Sequence, residues 1–347
     1  MKIGLVGYQG SGKSTVFEWL TGAKADPALS HTTQMAMATI PEPRVAGLCT
    51  IYHPKKVTLA GLEVVDTPGL SRTHEGSAAR LALIREAGCL ALVVGAFDRA
   101  DPVADLRAFD EDLTLADMEI VSSRMKRVEE SQRKPIPRSE HEALAHELET
   151  LKTVMEALEG GRPLRESDMT DDQLKVTRSF RLFGEKPRVA IFNTADDESH
   201  PERFTSLGSA EVPIVAVPAG LEVELAKMSA EDRAEFEREM GVGGTDRDAV
   251  IRTLLQASGQ RLFLTAGEKE VRTWLLQQGG TALDAAASIH TDLAHSFIRA
   301  EIMDYRDLMR LGSERDLKAQ KLVRQEPKDY VLQDDDLLYI KAGEGRS

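Results

Sequence analysis

Residues 7–14 read GYQGSGKS: a glycine, four free positions, then glycine, lysine and serine. A backbone can use that spacing to wrap an anion. Gly10 and Gly12 let the chain turn so that successive N–H groups point inward. Lys13 can then reach the outer phosphates of a bound diphosphate or triphosphate, and the Ser14 hydroxyl can enter a Mg²⁺ shell. Gln9, Ser11 and Thr15 complete the candidate phosphate contacts. The context agrees, because residues 3–6, IGLV, are a short apolar run suited to a buried parallel strand, and residues 14–20 open a helix. Strand, loop and helix N-terminus in this order add the helix dipole to the attraction for phosphate. A glycine-rich turn that binds nothing has no need of that order.

At 347 residues the chain exceeds what one hydrophobic core usually supports, so two or three domains are expected. Hydrophobic content of 41% with 29% charged residues is that of a globular protein. The net charge of −13 argues against sequence-blind binding to DNA or RNA, which needs clustered Lys and Arg, and leaves room for a local RNA contact. Cys49 and Cys89 stand beside apolar neighbours, far from any Cys-x-x-Cys spacing, and read as buried thiols. No apolar run reaches membrane-spanning length and none resembles a signal peptide, so the expectation is a cytoplasmic protein without membrane contact.

Residues 27–43 read as a polar segment containing Thr32 and Thr33, and in a nucleotide switch a threonine of such a segment holds Mg²⁺; Thr33 is the choice here. Two short strands at 57–59 and 62–65 deliver Asp66-Thr-Pro-Gly69. Asp66 can hold Mg²⁺ through water and Gly69 can offer its N–H to a γ-phosphate. Taken alone that tetrapeptide is a turn, and the phosphate loop upstream is what lends it specificity. Leu70 follows where a water-orienting glutamine is common, which leaves His74 and Glu75 as the nearest polar groups and His74 as the catalytic candidate beside Lys13.

Residues 89–94 form a further apolar strand, after which Asp101-Pro102 caps a helix. Met118, Val121, Met125 and Val128, then Leu144, Leu148, Leu151, Met155 and Leu158, recur at steps of three and four around the Pro135 and Pro137 turn. They predict a helical coiled-coil hairpin inserted at 101–184. The sheet resumes at 188–192 and ends in Asn193-Thr-Ala-Asp196, where a carboxylate can read a purine base. A sixth strand at 212–217 and helices at 229–238 and 246–257 close a nucleotide domain of residues 1–100 and 185–261. Residues 262–343, with strands at 270–276, 297–302 and 337–340 and a helix at 282–289, predict a small α+β domain.

These residues together resemble the YchF branch of the Obg-like, translation-associated P-loop GTPases and ATPases. The phosphate loop, Asp66 to Leu70, the helical insertion, Asn193 to Asp196 and Gly220 to Leu225 all carry the likeness. The C-terminal phrases FLTAGEKEVRTW, IHTD and FIRAE carry it furthest. The resemblance implies an α/β G-domain with a Rossmann-like sheet, the coiled-coil insert and a terminal TGS-type β-grasp module. It also implies Mg²⁺, GTP or ATP, and ribosomal or ribosomal-RNA partners, with Asn193, Asp196 and Ala219 on the base side. The chain departs from the family at Gly10, where asparagine is usual, in a shorter switch segment, at Asp196, where the family often has glutamate, and at Pro218 in place of a serine; Thr194 stands where the usual GTPase pattern has lysine, so the base motif is intermediate. The expected function is a slow nucleoside triphosphatase switch, turning over on the order of 10⁻³ per second alone. The alternatives are a catalytically idle nucleotide-binding adaptor, and a small-molecule kinase, which the switch chemistry and the want of an arginine-rich lid disfavour.

Overall fold

The apolar run near the start is strand β1 (Lys2–Val6), buried from Ile3 onward, and the glycine loop hands it to helix α1 (Lys13–Thr21). The computed structural model describes residues 1–73, 77–97, 101–161, 164–167, 169–198, 200–209, 212–240 and 245–343. After α1 come β2 (Gln34–Thr39), α2 (Arg44–Tyr52), β3 (Val57–Thr58) and β4 (Gly61–Asp66). Helix α3 (Ser77–Arg85) and β5 (Cys89–Ala96) lead to α4 (Pro102–Gln132), α5 (Arg138–Glu159) and α6 (Asp171–Thr177). The chain continues through β6 (Arg188–Thr194), α7 (Glu202–Thr205), β7 (Ile214–Val217), α8 (Ala219–Leu225) and α9 (Ala230–Met240). The last stretch holds α10 (Arg247–Ala257), β8 (Gln260–Thr265), β9 (Val271–Gln277), α11 (Ala282–Ile289) and α12 (Thr291–His295). It ends in β10 (Phe297–Asp304), α13 (Tyr305–Leu311), α14 (Glu314–Ala319), β11 (Arg324–Glu326) and β12 (Asp336–Ala342).

Two compact units result, one of residues 1–36 and 63–246, the other of residues 37–62 and 247–347. This division differs from the sequence-based boundaries in placing residues 37–62 and helix α10 with the C-terminal unit. The reason is local packing, since α2 lies against β9 and α13, and α10 against β8.

The first unit is built on a sheet of order β2-β4-β1-β5-β6-β7, in which β4, β1, β5, β6 and β7 run parallel. Because β4 flanks β1 on one side and β5 on the other, the chain reverses its direction of winding at β1. The crevice beyond the carboxyl ends of the strands opens there. Ile3, Leu5, Leu90, Ile191 and Phe192 are fully buried in this sheet, as runs covered on both faces require. The expectation that residues 57–59 join this sheet as one of six strands, with 27–43 as a polar connection, does not hold. Instead β2 supplies the edge strand and β3 pairs with β9 in the other sheet. The sequence of β2, QMAMAT, leaves Met35 and Met37 exposed and turns small alanines inward, so this edge strand lacks the polar-apolar alternation that would mark it.

Asp101 caps α4, its carboxylate accepting from the N–H groups of Val103 and Ala104, with Pro102 at the first helical position. All nine seam residues named from the sequence converge in one apolar cluster between α4 and α5, and Arg124 adds an ion pair to Glu147 at 2.6 Å. The returning chain is locked to the base of the hairpin. Fully buried Asp117 of α4 accepts from Arg85 Nη1 and from the Gly184 N–H, both at 2.8 Å. Arg188 donates to Asp110 at 2.6 Å and to the Phe183 carbonyl at 2.8 Å.

The second unit has the order β11-β10-β12-β8-β9-β3. β8 and β9 form an antiparallel pair, β12 runs parallel to β8, and β10 and β11 follow antiparallel. Strand β8 went unread as a strand in the sequence, although Leu262, Phe263 and Leu264 form its buried centre. Thr281 begins α11 with a reciprocal capping box to Asp284. Both cysteines are free thiols; Cys89 is fully buried and burial pushes its pKa up to about 12, while Cys49 is partly exposed.

Candidate functional site

The carboxyl end of β1 and the first turn of α1 set the phosphate loop. Gly12 sits at φ 88°, and a Cβ there would overlap the Asn193 carboxamide, so this position admits only glycine. Lys13, 7% exposed, bends back so that Nζ donates to the Tyr8 carbonyl at 2.8 Å. Burial lowers its pKa to about 8 and Asp66 pulls the other way. Ser14 Oγ donates to Asp66 Oδ2 at 2.6 Å. Burial raises the Asp66 pKa against the opposing effects of Ser14 and Lys13, and its Oδ1 is buried without a protein partner.

Two backbone hydrogen bonds lace the loop to the element that follows β4: Gln9 N to Leu70 O at 3.0 Å and Leu70 N to Gly7 O at 3.1 Å. Gly69 lies under Lys13, where a Cβ would come within 2.7 Å of Nζ. Leu70 is 2% exposed and packs with Tyr8 and Phe109, so its side chain belongs to the core beneath the loop. That explains in packing terms why a leucine stands in the water-orienting place. His74 and Glu75 lie outside the described residues.

The cleft over the loop is lined by Gln9, Gly10, Lys13, Ser14, Asp66, Gly69, Thr32 and Arg80, among others. Both adjacent threonines are exposed, and Thr32 lines this cleft whereas Thr33 does not. Arg80 belongs to neither the phosphate loop nor the Asp66–Gly69 motif. It stands on α3, and only the packing of that helix brings it over the loop. Ser11 Oγ is buried without a protein partner, and Thr15 is half-buried on the first turn of α1.

On the base side Asn193, 6% exposed, joins the loop to the start of α8. Its Nδ2 donates to Ser11 O at 3.4 Å and its Oδ1 accepts from Ala219 N at 3.1 Å. Both side-chain groups of Asn193 are thereby engaged in holding backbone. Asp196, three residues past it, is exposed, with Oδ1 close to Gly220. Thr194 is buried, its hydroxyl unpartnered.

Beneath the loop, Tyr8 reaches the helical hairpin. Its hydroxyl donates to Asp112 at 2.9 Å, its ring meets Phe109 edge-on, and the Arg72 guanidinium lies 4.4 Å from the ring centre while binding Asp105 at 2.6 Å. Burial and the Asp112 carboxylate raise the Tyr8 pKa. Sequence reading missed this junction because Tyr8 occupies a free position of the motif.

Residues 2–132 match a family model described as "50S ribosome-binding GTPase", and residues 261–343 match the YchF-GTPase C-terminal model, described as "Protein of unknown function". The chain is 30% identical over 363 residues to "Ribosome-binding ATPase YchF" of Bacillus subtilis, covering 97% of this chain and 98% of that one. The chain belongs to the YchF family. This YchF-family chain is also 32% identical over 366 residues to "Obg-like ATPase 1" of Oryza sativa subsp. japonica, covering 98% of this chain and 92% of the relative. Among solved structures it is similar to that of the Schizosaccharomyces pombe YchF GTPase, with a TM-score of 0.84, 26% identity, and coverage of 98% and 97%. The phosphate loop thus belongs to a P-loop nucleoside triphosphatase.

Proposed function

We propose that the protein is a Mg²⁺-dependent purine nucleoside triphosphatase that works as a conformational switch on the ribosome. The observation that carries this is the convergence of Lys13, Ser14 and Asp66 on one cleft, laced by backbone to Gly69 and Leu70. The donor set fits Mg²⁺. Ser14 Oγ and the unpartnered Asp66 Oδ1 are hard oxygens, and this ion takes few protein ligands and completes its shell with phosphate and water. Among the described residues no cluster of three His, Cys, Asp or Glu offers an alternative metal cage. When bound, the ion would neutralise charge between the β- and γ-phosphates. Lys13 binds the same oxygens, Gly69 offers its N–H, and the presence of Thr32 in the cleft lining supports it over Thr33 as the switch threonine.

The Tyr8, Arg72 and α4 contacts supply a route from the phosphate site to the hairpin, which we read as a coiled coil. Strand β12 between β8 and β10, beside the β8–β9 pair and α11, supports a β-grasp, TGS-type reading of the second unit. Ribosome docking is inferred from the printed names of the relatives. Lys269, His290 and Arg299 are exposed, and Arg272 stacks 3.9 Å from Trp274, giving a few placed cations for ribosomal RNA. His290 Nδ1 also accepts the Asp292 N–H, a helix-capping duty. A cytoplasmic site of action follows from a ribosomal partner, and no helix among the described residues is long and apolar enough to cross a membrane.

Nucleotide turnover measured with and without ribosomes tests the reading. Slow hydrolysis alone, accelerated by ribosomes that also carry the protein down on sedimentation, is expected. Tight binding without turnover in either case would leave the idle adaptor. For the base, the Asp196 carboxylate can accept from N1–H and the exocyclic amine of guanine, while adenine offers only its N6 amine there. Thr194 and Pro218 remove two supports of guanine selection, so GTP and ATP should differ by less than about a hundredfold in calorimetric Kd, or 2.7 kcal/mol. A larger ratio overturns the assignment of weak selection.

A further inference from the structure

The cleft carries a cation that the phosphate loop and switch motif do not account for. Arg80, on α3, lines it together with Lys13, Ser14, Asp66 and Gly69. With the Gln9 carboxamide turned so that its oxygen faces α3, that oxygen accepts from both terminal guanidinium nitrogens of Arg80, at 3.0 and 3.2 Å. Among the described residues no carboxylate pairs with Arg80, and its guanidinium lines the same cleft as Lys13. Gln9 itself is exposed at the tip of the loop, where its N–H is tied to the Leu70 carbonyl, so the acceptor that steers Arg80 stands on fixed backbone. Meanwhile Leu70 is buried and brings no polar group to the reaction.

We propose that Arg80 is a catalytic arginine supplied by the chain itself, binding oxygens of the transferred phosphoryl group, and that Gln9 is the positioning residue that holds it there. This rests on the reading of the cleft as a nucleoside triphosphate site. In hydrolysis a bond forms from the water oxygen to the γ-phosphorus as the bond to the β–γ bridging oxygen breaks. The electron pair remains on the diphosphate, and both water protons leave with inorganic phosphate, as dihydrogen phosphate. Charge gathers on the bridging and equatorial oxygens, where a planar fork of N–H donors binds more strongly than in the ground state.

The test uses the full chain with Mg²⁺-ATP and Mg²⁺-GTP in single turnover. Arg80→Ala should lower the rate by about 100-fold, and Arg80→Lys should restore little of it, because a point charge does not reproduce the fork. The diphosphate Kd should stay within about threefold of the parent in both variants, while binding of diphosphate with aluminium fluoride, which mimics the transferred group, should be lost. If Gln9 acts through Arg80, Gln9→Ala should slow the parent by about tenfold and slow Arg80→Ala no further. A rate for Arg80→Ala within threefold of the parent, or aluminium fluoride binding unchanged, overturns the proposal while leaving the triphosphatase reading in place. A parent that binds no triphosphate, or binds it without cleaving it, overturns both.

Discussion

Lys13→Ala should weaken Mg²⁺-triphosphate binding by two to three powers of ten, about 3–4 kcal/mol, while the protein remains folded. Lys13 is 7% exposed, and its ammonium donates to one backbone carbonyl, that of Tyr8. Its loss therefore removes the charge facing the phosphates and breaks no side-chain network. Burial has already lowered the Lys13 pKa to about 8. A bound polyphosphate favours the protonated form and raises that value, so binding takes up a proton above pH 8. The sign follows: parent affinity should fall as pH rises past about 8, and Lys13→Ala should lose that slope. Calorimetry at pH 7 and pH 9 reads both effects. Parent-like affinity in the variant, or an unchanged slope, would show that Lys13 does not meet the phosphates.

The second large effect concerns stability. Asp117 is fully buried, and Arg85 neutralises it at 2.8 Å while lying 3.9 Å from the centre of the Phe183 ring and donating to the Arg181 carbonyl. Arg85→Ala leaves the Gly184 N–H as the hydrogen-bond donor to this buried carboxylate among the described residues and should destabilise the first unit by about 3–5 kcal/mol. The double variant Arg85→Met with Asp117→Leu should lie closer to the parent than either single change. It removes both desolvation penalties and refills the space. The chain has two tryptophans, one in each unit, so Trp274→Phe leaves Trp19 to report the first unit in urea. A loss below about 1 kcal/mol for Arg85→Ala would mean that the pair is hydrated in solution and does not lock α3 to the hairpin.

Some of this molecule could be read from residue order because its physics is local. The glycine loop needs only a strand before it and a helix after it, the Asp101-Pro102 cap needs only the next turn, and the seam from Met118 to Leu158 is set by helical period. Contacts between Lys13, Ser14 and Asp66 follow once β1 and β4 are neighbours in a parallel sheet. Other features depended on which surfaces meet in space. Residues 57–58 read as a strand in either sheet, and only the free edge of β9 decided their partner. Strand β2 hid in the sequence because its large apolar residues, Met35 and Met37, lie on the exposed face of an edge strand while small alanines face inward, so no polar-apolar alternation marks it. The distinction between Thr32 and Thr33 is a matter of which way a loop turns, which periodicity does not encode. Gln9 fills a free motif position and Arg80 a helical one, and neither type is unusual there. Their meeting, and the burial that turned Leu70 from an absent catalyst into core, exist only once α3 and the Tyr8 cluster pack on the loop. The sequence by itself therefore determined the phosphate chemistry, because its backbone pattern is contiguous. The tertiary structure alone decided which side chains surround that chemistry, because they come from segments distant in the chain.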